Sequence, residues 1–138
     1  MSTLSQLIQP GNVATAANAI TLANKTINNP IVTDYIETAF NAGTQTALTV
    51  NLSNGTVQRV TVGGSGITIT LPASVAGKSF IVIVTYTGVQ TVAWLGGSVL
   101  KWAGGTAPTV TSINGKTDIF SFFQDGTNTY GAAFGVNF

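Results

Sequence analysis

Apolar and polar positions alternate with period two through most of this chain. Leu48, Val50 and Leu52 interleave with Thr49, Asn51 and Ser53, which puts the aliphatic set on one face of an extended strand. Asn54-Gly55 follows, the pair that two-residue type I′ hairpins prefer, and Thr56 to Val62 predicts the returning strand. Gly63-Gly64-Ser65-Gly66 predicts the next reversal. Beyond it Ile67, Ile69 and Leu71 point one way, Thr68 and Thr70 the other, and Pro72 stops the strand. Ser79 to Tyr86 is apolar at successive positions, the pattern of a central strand covered on both sides. Short strands are predicted at Thr91 to Leu95 and Val99 to Trp102. Ile119 to Phe123 is again continuous and aromatic, and Asp125-Gly126 turns it into Thr129 to Phe138. There Tyr130, Ala132, Phe134, Val136 and Phe138 share a face, which predicts a buried, tied-down C-terminus. Eight or nine short strands rich in Thr, Val and Ile predict an all-β fold, an antiparallel β-sandwich or jelly-roll-like barrel. No internal sequence repeat stands out.

Residues 1–32 break the period. They are rich in Ala, Asn, Thr and Gln, with Pro10 and Pro30 as breakers. Leu4, Leu7 and Ile8 line one helical turn, and Val13, Ala16, Ala17 and Ile20 line a second, each too short to be stable alone. The expected organisation is an extended or weakly helical N-terminal arm over 1–32, ordered by a partner, and a β-domain over 33–138.

The stretch from Trp94 to Thr111 holds both tryptophans beside the glycine pairs Gly96-Gly97 and Gly104-Gly105, which permit positive φ and close backbone approach. Pro108 then blocks helix. The run from Val99 to Thr111, followed by Gly115 to Phe123 and by Asp125-Gly126 ahead of Tyr130-Gly131, resembles a β-rich module of bacteriophage tail fibres and small virion surface proteins. The resemblance covers roughly residues 45–138 and rests on Lys101, Trp102, Gly104, Gly105, Pro108 and Asp118. It implies a virion structural protein, a capsid decoration or head fibre, assembled as a homo-oligomer, a trimer by analogy. Residues 1–32 would attach it to other virion proteins. A tail-fibre tip or adhesin that binds host surface glycan is the alternative, and a depolymerase a more distant one.

Charge changes the picture most. Lys and Arg number 5, and Asp and Glu 4, in 138 residues. Ordinary domains are about a quarter charged, so the free surface is Thr, Asn, Ser, Gln and Gly, or is covered by copies or by a larger assembly. Net charge is +1, and the cations Lys25, Arg59, Lys78, Lys101 and Lys116 do not cluster, which argues against nucleic acid as a partner. The first residues carry no basic, apolar leader, and no apolar run is long enough for a membrane span. The expected location is the virion, after synthesis in the host cytoplasm.

Catalytic chemistry is thin. His and Cys are both absent, which removes imidazole and thiolate mechanisms together with thiolate metal sites. Asp34 and Glu37 lie three apart in a segment read as strand, hence on opposite faces, while Asp118 and Asp125 flank a strand. Turn capping and solvation outweigh a two-carboxylate glycosidase. Gly115-Lys116-Thr117 lacks the glycine and helix of a phosphate loop, and Asp125-Gly126-Thr127-Asn128 lacks the downstream acid of a calcium loop. No catalytic residue, metal or cofactor is expected, and the protein is read as not an enzyme. Trp94, Trp102, Tyr86 and Tyr130 are the candidate aromatics for a glycan platform or an interface, with packing the commoner fate of such rings. Lys101 and Asp118 stand as a weak rim pair.

Overall fold

The computed structural model describes residues 26–138. The helical turns expected within residues 4–20 lie outside the described residues. The chain divides into two units, Met1–Tyr35 and Ile36–Phe138. Of the first, residues 26–35 form neither helix nor strand and are exposed. Asp34 and Glu37 precede the first strand and do not lie on one, contrary to the period-two reading.

The second unit is all-β. Its strands are β1 (Ala39–Gln45), β2 (Ala47–Thr49), β3 (Val57–Val62), β4 (Gly66–Thr70), β5 (Lys78–Thr85), β6 (Thr91–Leu95), β7 (Val99–Trp102), β8 (Thr117–Gln124) and β9 (Asn128–Gly135). They form a six-stranded sheet, β1-β3-β5-β8-β9-β7, and a three-stranded sheet, β2-β4-β6. Through β6 the chain alternates between the sheets, and each strand lies parallel to the one two before it. That is a coil, in the manner of a short β-solenoid. The antiparallel expectation therefore fails over this half; antiparallel pairing joins β5 to β8 and β8 to β9, and β7 returns parallel to β9.

Asn54-Gly55 is not a hairpin, because β2 and β3 belong to different sheets. The chain reverses just before it, with the N–H groups of Asn54 and Gly55 donating to the carbonyls of Asn51 and Leu52. Gly55, at φ +143°, sits so close to the Thr38 carbonyl that a Cβ would collide with it. The repeat is structural without being a repeat of sequence. Ala39 pairs with Val57 and Val57 with Ile81, steps of 18 and 24 residues, so no fixed period exists to detect.

Inward positions of both sheets build one core of Leu48, Val50, Val60, Val62, Ile67, Ile69, Leu71, Phe80, Val82, Val84, Tyr86, Phe120 and Phe122. Three buried glutamines close the corners. Gln58 donates to the Asn51 and Gly55 carbonyls at 3.2 and 2.6 Å. Gln90 donates to Val62 and Gly64 at 3.0 and 2.9 Å while accepting from the Thr87 N–H. Gln124 donates to Pro72 and accepts from the Val75 N–H. Each amide satisfies turn groups that a corner cannot pair within a ladder.

β5 is central, as its apolar run predicts, but it is fully covered on one face only: Phe80, Val82 and Val84 are buried, while Ile81 and Ile83 are half-buried on the outer face. The C-terminus is tied by its backbone, with Phe138 and Thr117 exchanging N–H···O bonds of 3.0 and 3.1 Å. Its ring is 60 % exposed, against the expectation of burial.

Candidate functional site

The two indoles pack inward. Trp94 on β6 and Trp102 on β7 meet edge to face at 5.4 Å, bridging the margins of the two sheets. Trp94 also lies 4.8 Å from Phe120, and Trp102 lies 5.6 Å from Phe122. Trp102 rests on Gly131, where a Cβ would come within 2.7 Å of the indole and 2.8 Å of Phe122. The glycine under the Trp102 indole is Gly131 on β9, not one of the pairs that neighbour the tryptophans in sequence. Gly104 and Gly105, at φ +78° and +85°, make the turn after β7, and Pro108 is half-buried beyond it. Gly97 serves close approach: a Cβ there would lie 2.7 Å from the Ala73 nitrogen.

Tyr86 is 1 % exposed, so its ring offers no stacking surface. Its hydroxyl donates to Asp118 Oδ2 at 2.8 Å. Asp118, itself wholly buried, also accepts from the Thr111 N–H at 2.7 Å, the Thr111 hydroxyl at 2.5 Å and the Asn137 N–H at 3.0 Å. Burial pushes this carboxyl up, and the donors, Thr111 foremost, more than offset it, holding it below the ordinary aspartate range. Burial and then the neighbouring carboxylate push the Tyr86 phenol far above the usual tyrosine range. The expected pair of Lys101 with Asp118 does not form. Asp118 faces the core and Lys101 the outside, because the two side chains lie on opposite faces of the same sheet.

Of the four candidate aromatics Tyr130 alone is exposed, at 41 %. It stands directly opposite Phe123 on β8 and Lys101 on β7. Its hydroxyl donates to Asp125 Oδ2 at 2.9 Å, and the Lys101 ammonium lies 5.8 Å from the ring centroid. Asp125 caps its own turn, accepting from the N–H groups of Thr127 and Asn128 at 2.7 and 2.6 Å. Those bonds, Asn128 foremost, hold its carboxyl far below the ordinary range, and Asp125 in turn raises the Tyr130 phenol. Both acids, Asp118 inside β8 and Asp125 just after it, therefore hold backbone. Among the described residues no group of His, Cys, Asp and Glu could hold a metal ion, and no helix is long and apolar enough to cross a membrane.

The outer face of the six-stranded sheet is banded. Thr44, Thr61, Thr85 and Thr117 stand in register across β1, β3, β5 and β8, with the last two hydroxyls 3.0 Å apart. The next band is Asn41, Arg59, Ile83 and Ile119, and beside its β9 end Phe134 and Phe138 are 74 % and 60 % exposed. Phe123 and Phe134 are the residues that the sequence reading left out of its candidate site; their outward phase on β8 and β9 is the signal that marks them. Comparisons with protein-family models, with curated proteins and with solved structures returned no match.

Proposed function

We propose that this protein is a structural component of a bacteriophage particle, a small homo-oligomeric surface protein of the decoration or head-fibre kind, held to the particle by residues 1–32. The observation that carries this reading is the outer face of the six-stranded sheet. Its strands present only Arg59 and Lys101 as charges, while Phe134, Val136 and Phe138 are exposed together at the end of β9. Solitary domains rarely leave such a patch bare, and closed symmetric association is the usual way to cover it without aggregation. The resemblance of residues 45–138 to phage surface modules supplies the particle, and the trimer as the expected closed form.

The role is structural, without catalysis. Asp118 and Asp125 each hold backbone N–H and hydroxyl donors, and the other two acids, Asp34 and Glu37, precede the first strand. Cosedimentation tests the division of labour. A chain beginning at Thr33 is expected to stay folded and oligomeric but to lose binding to particles that lack the protein. Retained binding would place attachment on the β-unit and favour the tail-tip alternative.

A further inference from the structure

The outer face of β8, β9 and β7 carries a step between two rows. Phe123, Tyr130 and Lys101 form the tall row. Ser121 faces Ala132 in the low row, and Ala103 follows the end of β7 beside them. The tall row walls, and the low row floors, a groove of about 410 Å³.

Directly opposed aromatic residues on paired strands ordinarily pack on one another. Phe123 and Tyr130 do not, and they take no part in the ring contacts of the core. The cause is on the Tyr130 side: Asp125 anchors its hydroxyl and the Lys101 ammonium lies over its ring. Phe123 is left 50 % exposed. Lys101 is exposed, makes no ion pair among the described residues, and holds its ammonium 5.8 Å from the Tyr130 ring, a weak attraction that leaves it available to an anion.

We propose that this groove binds a pyranose ring carrying a carboxylate, as part of an acidic glycan. The apolar C–H face of a sugar suits aromatic walls and an alanine floor. Ser121 offers a hydroxyl, and Lys101 offers the ammonium for a charge-assisted bond to the acid. A neutral ring would fill the same space but gain nothing from the Lys101 charge. Its walls, Phe123 and Tyr130, lie about 13 Å from the Ile119 end at the usual strand rise and its floor, Ser121 and Ala132, about 7 Å, so the groove adjoins the proposed association patch without including Phe134 or Phe138, and it does not depend on attachment to a particle.

The test is an NMR titration of the full chain with a tetrasaccharide of alternating glucuronate and N-acetylglucosamine, and with the same sugar after reduction of its carboxyl groups to alcohols. The acidic sugar is expected to shift Phe123 and Tyr130 resonances and to bind at least about tenfold more tightly than the reduced one. Ala132→Leu, which fills the floor from the outside, should abolish both, with circular dichroism confirming the fold. Lys101→Gln should retain binding of the reduced sugar and remove the preference for the acid. Absence of shifts at Phe123 and Tyr130, equal affinity for both sugars, or undiminished binding by Ala132→Leu would each overturn the proposal.

Discussion

The coiled half of the molecule, β1 to β6, and the closing half, β7 to β9 with the strand ends they tie, are held by different chemistry. In the coils, aliphatic side chains fill the interior and neutral amides, Gln58 and Gln90, satisfy the corner carbonyls. In the closing half, indoles and phenyl rings fill the margin between sheets, and one buried carboxylate gathers Thr111, Asn137 and Tyr86. Parallel stacking brings one turn of the coil over the next, so a neutral amide can staple a corner, as Gln58 and Gln90 do. The closing strands meet from different directions, and a carboxylate with two oxygens can take four donors at once. The coils should therefore be insensitive to acid and the closure should not.

The largest effect expected is at the sheet margin. Trp102→Ala removes the ring that bridges β7 to β6 and β8, and should cost about 3–5 kcal/mol in urea unfolding; an unchanged midpoint would show that the margin is not packed. Next is Asp118→Asn, which takes away the charge and one acceptor from buried donors and should cost about 3 kcal/mol at neutral pH. Its pH dependence sharpens the contrast. Because the folded carboxyl titrates below its unfolded value of about 3.9, its stabilisation is complete above that value and is lost as pH falls toward the folded pKa. Wild-type stability should drop in that acid window and the Asn variant should lose this component of the drop. At the other extreme the raised Tyr86 phenol favours folding below the unfolded tyrosine value of about 10, and that contribution fades as pH rises beyond it.

Gln90→Ala should cost about 2 kcal/mol by leaving corner carbonyls unpaired, by the same amount at pH 4 and pH 7. An acid-dependent loss there would erase the distinction between the halves. The smallest effect is expected for Asp125→Asn, an exposed turn cap, whose thermal midpoint should stay near wild type while the Tyr130 phenol returns toward its ordinary range.

Period-two alternation made the strands legible from Leu48 onward, and the phases of Leu48 with Val50 and of Ile67, Ile69 and Leu71 gave part of the core. Pairing was not legible, because a parallel coil and an antiparallel hairpin place the same residues inward. Asn54-Gly55 tipped the reading toward the hairpin. Unequal coils removed the periodicity that would have corrected it. Gln58, Asp118 and Gln124 carried a signal that went unused: each is polar at a position in phase with buried apolar neighbours, where only a paired group can sit. Trp94, Trp102 and Tyr86 looked alike as candidate platforms in the sequence, and their separation from Tyr130 depends on which face each ring occupies: Trp102 and Tyr130 lie on neighbouring strands of one sheet and point to opposite sides.

The apolar end of β9 is the feature on which the proposed assembly stands, and multi-angle light scattering of the full-length chain tests it most directly. The wild-type protein should run as one closed oligomer, three copies by the resemblance, and Phe134→Lys with Phe138→Lys should run as a monomer with the same β-sheet circular dichroism. A monomeric wild type, or a doubly substituted chain that keeps the wild-type mass, would contradict it.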